Sequence, residues 1–220
     1  MLRRVFINSK KVPVPVPIKT LDEALAWVEE TLVPPGHSIT RISLDDRLLT
    51  GREPDTTVHG DTRLEGESRL EVQIDSPIDL AVQTLDAVRN LASVIGAGLK
   101  QLAVDCWQAR GNLKPTELDA TVNDSQLLGD LIDHVSGIVD HEAVEMAGVL
   151  GIGALLKRTT VGLSMARANS DWKGAARILL NKLEPLLKDL VVEAETLHVR
   201  VATQPATWHM QPQNKKAPTG

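Results

Sequence analysis

Residues 69–88 read RLEVQIDSPIDLAVQTLDAV, and the hydrophobic period changes within them at Ser76. Leu70, Val72 and Ile74 recur at every second position, which predicts a strand with one buried face. Ser76, Pro77 and Asp79 then make a helix start: serine as N-cap, proline at the first helical position where its missing donor costs nothing, and an acid near the third. Ile78, Val82, Leu85, Val88, Ala92, Ile95, Leu99, Leu102 and Cys106 follow at intervals of three and four. Unbroken to about Arg110, this stripe predicts a helix roughly 50 Å long at 1.5 Å per residue. The chain thus divides at Ser76 into two unlike parts, 1–75 and 76–203. Residues 204–220 turn to Pro, Gln, Asn and Lys without period, and a disordered tail is expected there.

Upstream of the switch, Leu2, Val5 and Ile7 lie in a short strand-prone run, and Val12, Val14, Val16 and Ile18 alternate with Pro13, Pro15 and Pro17. Three prolines on one side delete three amide donors, so this second strand belongs at a sheet border. Thr20 with Glu23 makes a capping box for a helix presenting Leu21, Ala24, Leu25, Val28 and Leu32, which Pro34, Pro35 and Gly36 stop. Ile39, Ile42 and Leu44 predict a strand, Asp45 and Asp46 a turn, and Leu48 and Leu49 a short strand before Leu70 begins the last. In length and element order, Leu2 to Ile74 resembles the ubiquitin-like β-grasp superfamily. The resemblance implies an α+β fold with one helix on a small sheet. Asp75 runs directly into further protein without a Gly-Gly tail, so conjugation is not expected.

Downstream, Gly111 to Pro115 breaks the first long helix. A second is expected from about Asp124 to Met146, with Leu127, Leu128, Leu131, Val135, Ile138 and Val139 inward. Gly148, Gly151 and Gly153 each lower helix propensity by about 1 kcal/mol relative to Ala, so a kink or break is expected among them. Small residues at Gly96 and Gly98 leave room for a neighbouring backbone. Asn169, Ser170 and Asp171 cap a final helix with Ile178, Leu179, Leu183, Leu186, Leu190, Ala194 and Leu197 inward, and Pro185 inside it predicts a bend or a fresh start at Glu184. The expected whole is an N-terminal β-grasp-like domain followed by an antiparallel bundle of three or four long α-helices.

Composition narrows the function. The aromatic share is 2%, with no Tyr and one Phe, so Leu, Val, Ile and Ala must build the cores. Single-stranded nucleic acid requires exposed rings beside a basic groove, and a net charge of -5 offers no such field, so nucleic acid is not an expected partner. The charge is not polarised either: 10 basic and 13 acidic residues precede Ser76, and 14 and 16 follow. Cys106 stands alone and cannot close an intramolecular disulfide, and Met1 to Asn8 reads as a strand, which together point to the cytoplasm. The most apolar run, Ala147 to Leu156, ends at Lys157 and Arg158 after about half the roughly 20 residues of a membrane span, so no membrane association is expected.

One constellation offers site chemistry. At 100° per residue, Asp130, His134, His141 and Glu145 fall on one side of the second long helix, and carboxylate with imidazole four apart is a spacing that holds Zn²⁺. His134 and His141 are about 10.5 Å apart along such a helix, too far for one ion, and the Glu-x-x-His pairs of di-metal bundles are absent. A metal-dependent enzyme on this face is therefore the alternative reading; the leading one assigns no catalytic residue, no metal and no cofactor. It expects protein partners or self-association through apolar helical grooves, with Trp107, Trp172 and Trp208 as anchors because large rings dominate binding hot spots. Asp171-Trp172-Lys173-Gly174, Leu179-Leu180 and Leu183-Glu184-Pro185-Leu186-Leu187 resemble a last-helix pattern of helical accessory proteins associated with bacterial flagella. That resemblance implies an export-chaperone or assembly-factor role.

Overall fold

The computed structural model describes residues 4–14, 17–49, 63–64, 68–108, 116–139 and 144–203. The chain is α+β and separates into two compact units, 1–77 and 78–220.

The first unit holds β1 (Arg4–Ile7), β2 (Lys10–Val12), α1 (Leu21–Thr31), β3 (Ser38–Leu44), β4 (Arg47–Leu48) and β5 (Arg69–Asp75). They form one mixed sheet in the order β2-β1-β5-β3-β4, with β1 parallel to β5 and the other pairs antiparallel. β2 is an edge strand that ends at Val12, where the next residue, Pro13, has no amide to donate to a ladder. Beyond it Ile18 is buried in the core. The capping box forms as its residues dictate: the Glu23 amide donates to Thr20 Oγ1 and the Thr20 amide to the Glu23 carboxylate. α1 buries Leu21, Ala24, Leu25 and Val28 with Val5, Leu70, Val72 and Ile74 from the sheet.

β3 shows why its apolar spacing is irregular. The register against β5 shifts between Ile39 and Arg41, and this inserted residue lets Ile39 and Ile42, three apart, contribute to the same core. Two tight turns, Asn8-Ser9 and Asp45-Asp46, hold four non-glycine residues at φ of 48°, 65°, 50° and 63°. Asn8 has a compensating role: its Nδ2 donates to the Ile74 carbonyl and its Oδ1 accepts from the Ile74 amide, both at 2.8 Å, so the side chain continues the pairing of β1 with β5 by one step.

The second unit holds α2 (Pro77–Gln108), α3 (Thr116–Ile138), α4 (Ala147–Ala168), α5 (Trp172–Ile178), a π-helical segment (Leu179–Leu183) and α6 (Glu184–Ala202). Its core runs through Leu85, Leu99, Leu128, Leu163, Leu183 and Leu190. Ion pairs tie the helices together: Arg89 to Glu195 and Lys100 to Glu184 between α2 and α6, and Asp119 to Arg167 and Asp133 to Lys157 between α3 and α4, while the His198 ring approaches Asp86 at 3.7 Å.

Four expectations change here. α3 begins eight residues before Asp124, where Thr116, Glu117 and Asp119 supply an acidic first turn, and ends at Ile138 rather than Met146. α4 has no break at its glycines, because Gly153 packs on Ile132 and tertiary contact outweighs weak propensity. Gly96 and Gly98 face open space among the described residues. Lys157 and Arg158 do not end the apolar run. α4 passes through both, and among the described residues it is the single helix long and apolar enough to cross a membrane by length and composition. Lys157 and Arg158 sit in its middle and Lys157 pairs with Asp133, while Val149, Leu156 and Leu163 are buried in the unit's core.

The last helical run starts afresh at Glu184, with Pro185 in its first turn, behind a π-helical segment. The Glu184 amide donates to the Leu179 carbonyl, five residues back, so the turn ahead of the proline is widened. A proline ring crowds the carbonyl one turn earlier and offers no donor to it, and a π turn relieves both problems without interrupting the stripe of Leu179, Leu183, Leu187 and Leu190.

Candidate functional site

The Asp/His face is described only in part, since His141 lies outside the described residues. Asp130 and His134 are on α3 and exposed. Glu145 lies between α3 and α4 in non-helical backbone, so the rotation of 100° per residue does not carry from His134 to it. Its carbonyl accepts from Arg200 Nη1 at 3.4 Å. Among the described residues no three His, Cys, Asp or Glu side chains come together as a metal-holding group.

The three tryptophans have different fates. Trp208 lies outside the described residues. Trp172 opens α5, whose N-cap Asp171 accepts from the Gly174 amide at 2.8 Å, and its half-buried ring packs on the helical core. Trp107 is 52% exposed. It sits in the last turn of α2, directly after Cys106, which is fully buried on the apolar stripe. One residue of helix is a rotation of 100°, so burial of Cys106 turns the indole out of the core.

The indole lies at a groove of about 430 Å³ between the end of α2 and the start of the final helical run, lined by Ala103, Val104, Ala176, Arg177 and Leu180 among others. Val104 and Leu180 are exposed like the ring itself, so three large apolar side chains meet water at one place. Lys173 Nζ and Arg177 Cζ each stand 5.9 Å from the Trp107 ring centre, within the range of a cation-π contact. A second groove of about 460 Å³, lined by Leu155, Arg158, Thr159, Lys182 and Pro185, adjoins it, and Asn181 of the π segment borders both.

Two titratable groups near this region are displaced from their ordinary range. Burial, reinforced by the neighbouring Asp105 charge, raises the Cys106 thiol. It is an inert core group rather than a nucleophile. Glu184, at the start of α6, is lowered chiefly by the hydrogen bond from Lys188 and further by the charges of Lys188 and Lys100, against a smaller opposing effect of desolvation.

Trp107 is legible in the sequence, but the groove around it is not. Lys173 and Arg177 reach the indole only once α5 has packed beside α2, a contact between residues some 70 positions apart. The available signal was Pro185 inside a helical stripe, which demanded a local distortion without saying that the distortion would border a cleft.

Comparison with models of known protein families, with curated proteins and with solved structures gives no match for this chain.

Proposed function

We propose that this chain is a non-enzymatic, cytoplasmic interaction protein of the assembly-factor or chaperone-like kind, which holds a protein partner through the groove at Trp107. The observation that carries the reading is three large apolar side chains, Val104, Trp107 and Leu180, left in water around one concave space while the adjoining stripe is fully buried. Exposed apolar clusters in a cleft mark binding sites, and tryptophan is the side chain most often found at their energetic centre.

The same proposal gives the two units their roles. The first is read as a ubiquitin-like β-grasp, supported by the strand order, the single covering helix and the central β5. The second is read as an antiparallel bundle of three or four long helices. Its support is that partners of Asp86, Arg89 and Lys100 fall at His198, Glu195 and Glu184, descending as the first series climbs, and Asp119 and Asp133 meet Arg167 and Lys157 in the same sense.

The test is a photo-crosslinking side chain at Gln108, beside the groove, in the cell from which the sequence comes, with the same group at Asp130 as control. A defined adduct with one protein or with a second copy from position 108, and not from 130, is the expected result. No adduct, or equal labelling from both positions, removes the reading.

A further inference from the structure

We infer that the Trp107 groove receives an acidic amphipathic helix of a partner protein, its apolar residues seated on Trp107, Val104 and Leu180 and its carboxylates on Lys173 and Arg177. This rests on the reading of the groove as a partner site and adds the partner's chemistry to it.

The argument is one of charge. Lys173 and Arg177 share a single indole ring, and among the described residues neither makes an ion pair with a carboxylate. Two like charges held against one ring repel, and an exposed cation-π contact offsets that only weakly. The carbonyl end of α2 contributes roughly half a negative charge against these two full positive ones. Among the described residues that line the two grooves there is no acid. Arg158 and Lys182 carry the positive rim into the adjoining groove. Although the chain's net charge is -5, the charged side chains that line this cleft and the adjoining groove are, among the described residues, all cationic.

The cleft also selects a helix. It lies between helices and offers no strand edge, so a partner backbone entering it must satisfy its own amides and carbonyls, as a helix does and an extended segment does not.

The experiment is selection of random peptides of about 16 residues, some four helical turns, displayed on phage against the full chain, in parallel with Trp107→Ala and with the double variant Lys173→Glu, Arg177→Glu. Thermal melting of each variant checks that the fold is kept. The wild-type chain should enrich peptides with Leu, Ile or Phe at helical spacing flanked by Asp and Glu. Binding of a synthesised winner should fall at least about tenfold with either variant, and added salt should weaken it. The charge-reversed chain should instead enrich Lys and Arg. Apolar winners without acidic bias that still need Trp107 would overturn this inference while leaving the groove a docking site. Winners indifferent to Trp107 would overturn both. Absence of winners together with binding to phosphatidylserine vesicles through Lys173 and Arg177 would also overturn it, in favour of a lipid surface.

Discussion

Gly151 and Gly153 stand two positions apart on α4 and read alike in the sequence, yet the space around them differs. A Cβ on Gly151 meets nothing within 4 Å, whereas one on Gly153 comes to 3.0 Å from Ile132 Cγ2. Gly151→Ala should therefore stabilise the chain by up to about 1 kcal/mol through helix propensity alone. Gly153→Ala gains the same propensity but overfills the contact with α3, a cost of about 1–3 kcal/mol, and should be neutral or destabilising. Urea unfolding of both variants measures the difference. Equal gains at both sites would show that the close approach is not felt. The same pair marks the limit of reading residues singly: composition identifies small side chains, but only the packed neighbour tells which one is required. Trp107 follows this pattern, since its outward direction follows from Cys106 while the cations that flank it do not.

Elements were legible where a local signal dictates them. The capping box at Thr20, the serine-proline start of α2 and the alternation of Leu70, Val72 and Ile74 lie where their chemistry demands. One boundary failed where tertiary contact decides, since α4 runs whole on the packing of Gly153 against Ile132, and another where a local signal was passed over, the acidic first turn of α3. Pro185 is the instructive intermediate, because a helix that must keep Leu183 and Leu187 on one buried stripe widens by a turn instead of breaking. The first turn of α6 gives this element a pH signature. Glu184 titrates below its ordinary range because Lys188 donates to it at 2.8 Å, so the pair's contribution is complete above the ordinary carboxylate pKa and is lost as pH falls through the lowered one. Lys188→Ala should move the Glu184 titration upward, read from its side-chain carbon shifts. An unmoved curve would assign the displacement to Lys100.

At the scale of the whole molecule, the change of period at Ser76 stands one residue from the division between units, because a two-residue repeat builds a sheet and a three-four repeat builds packed helices. What lies beyond local periodicity is the sheet's topology. β5 is last in the unit's sequence but central in its order, and it supplies the partners of both β1 and β3. Arg4 is aligned with Arg69, so the pairing that closes the sheet waits for almost the whole unit. On a translating ribosome, adding about 5–20 residues per second, the β1-β2 and β3-β4 hairpins emerge as two fragments with nothing between them for several seconds. Nascent chains stalled with Gln73 still inside the exit tunnel should be cut readily by protease, and those stalled after Asp75 has cleared it should resist. The helical half is then born behind an already finished neighbour, so the birth order of this chain is written into the place of one strand.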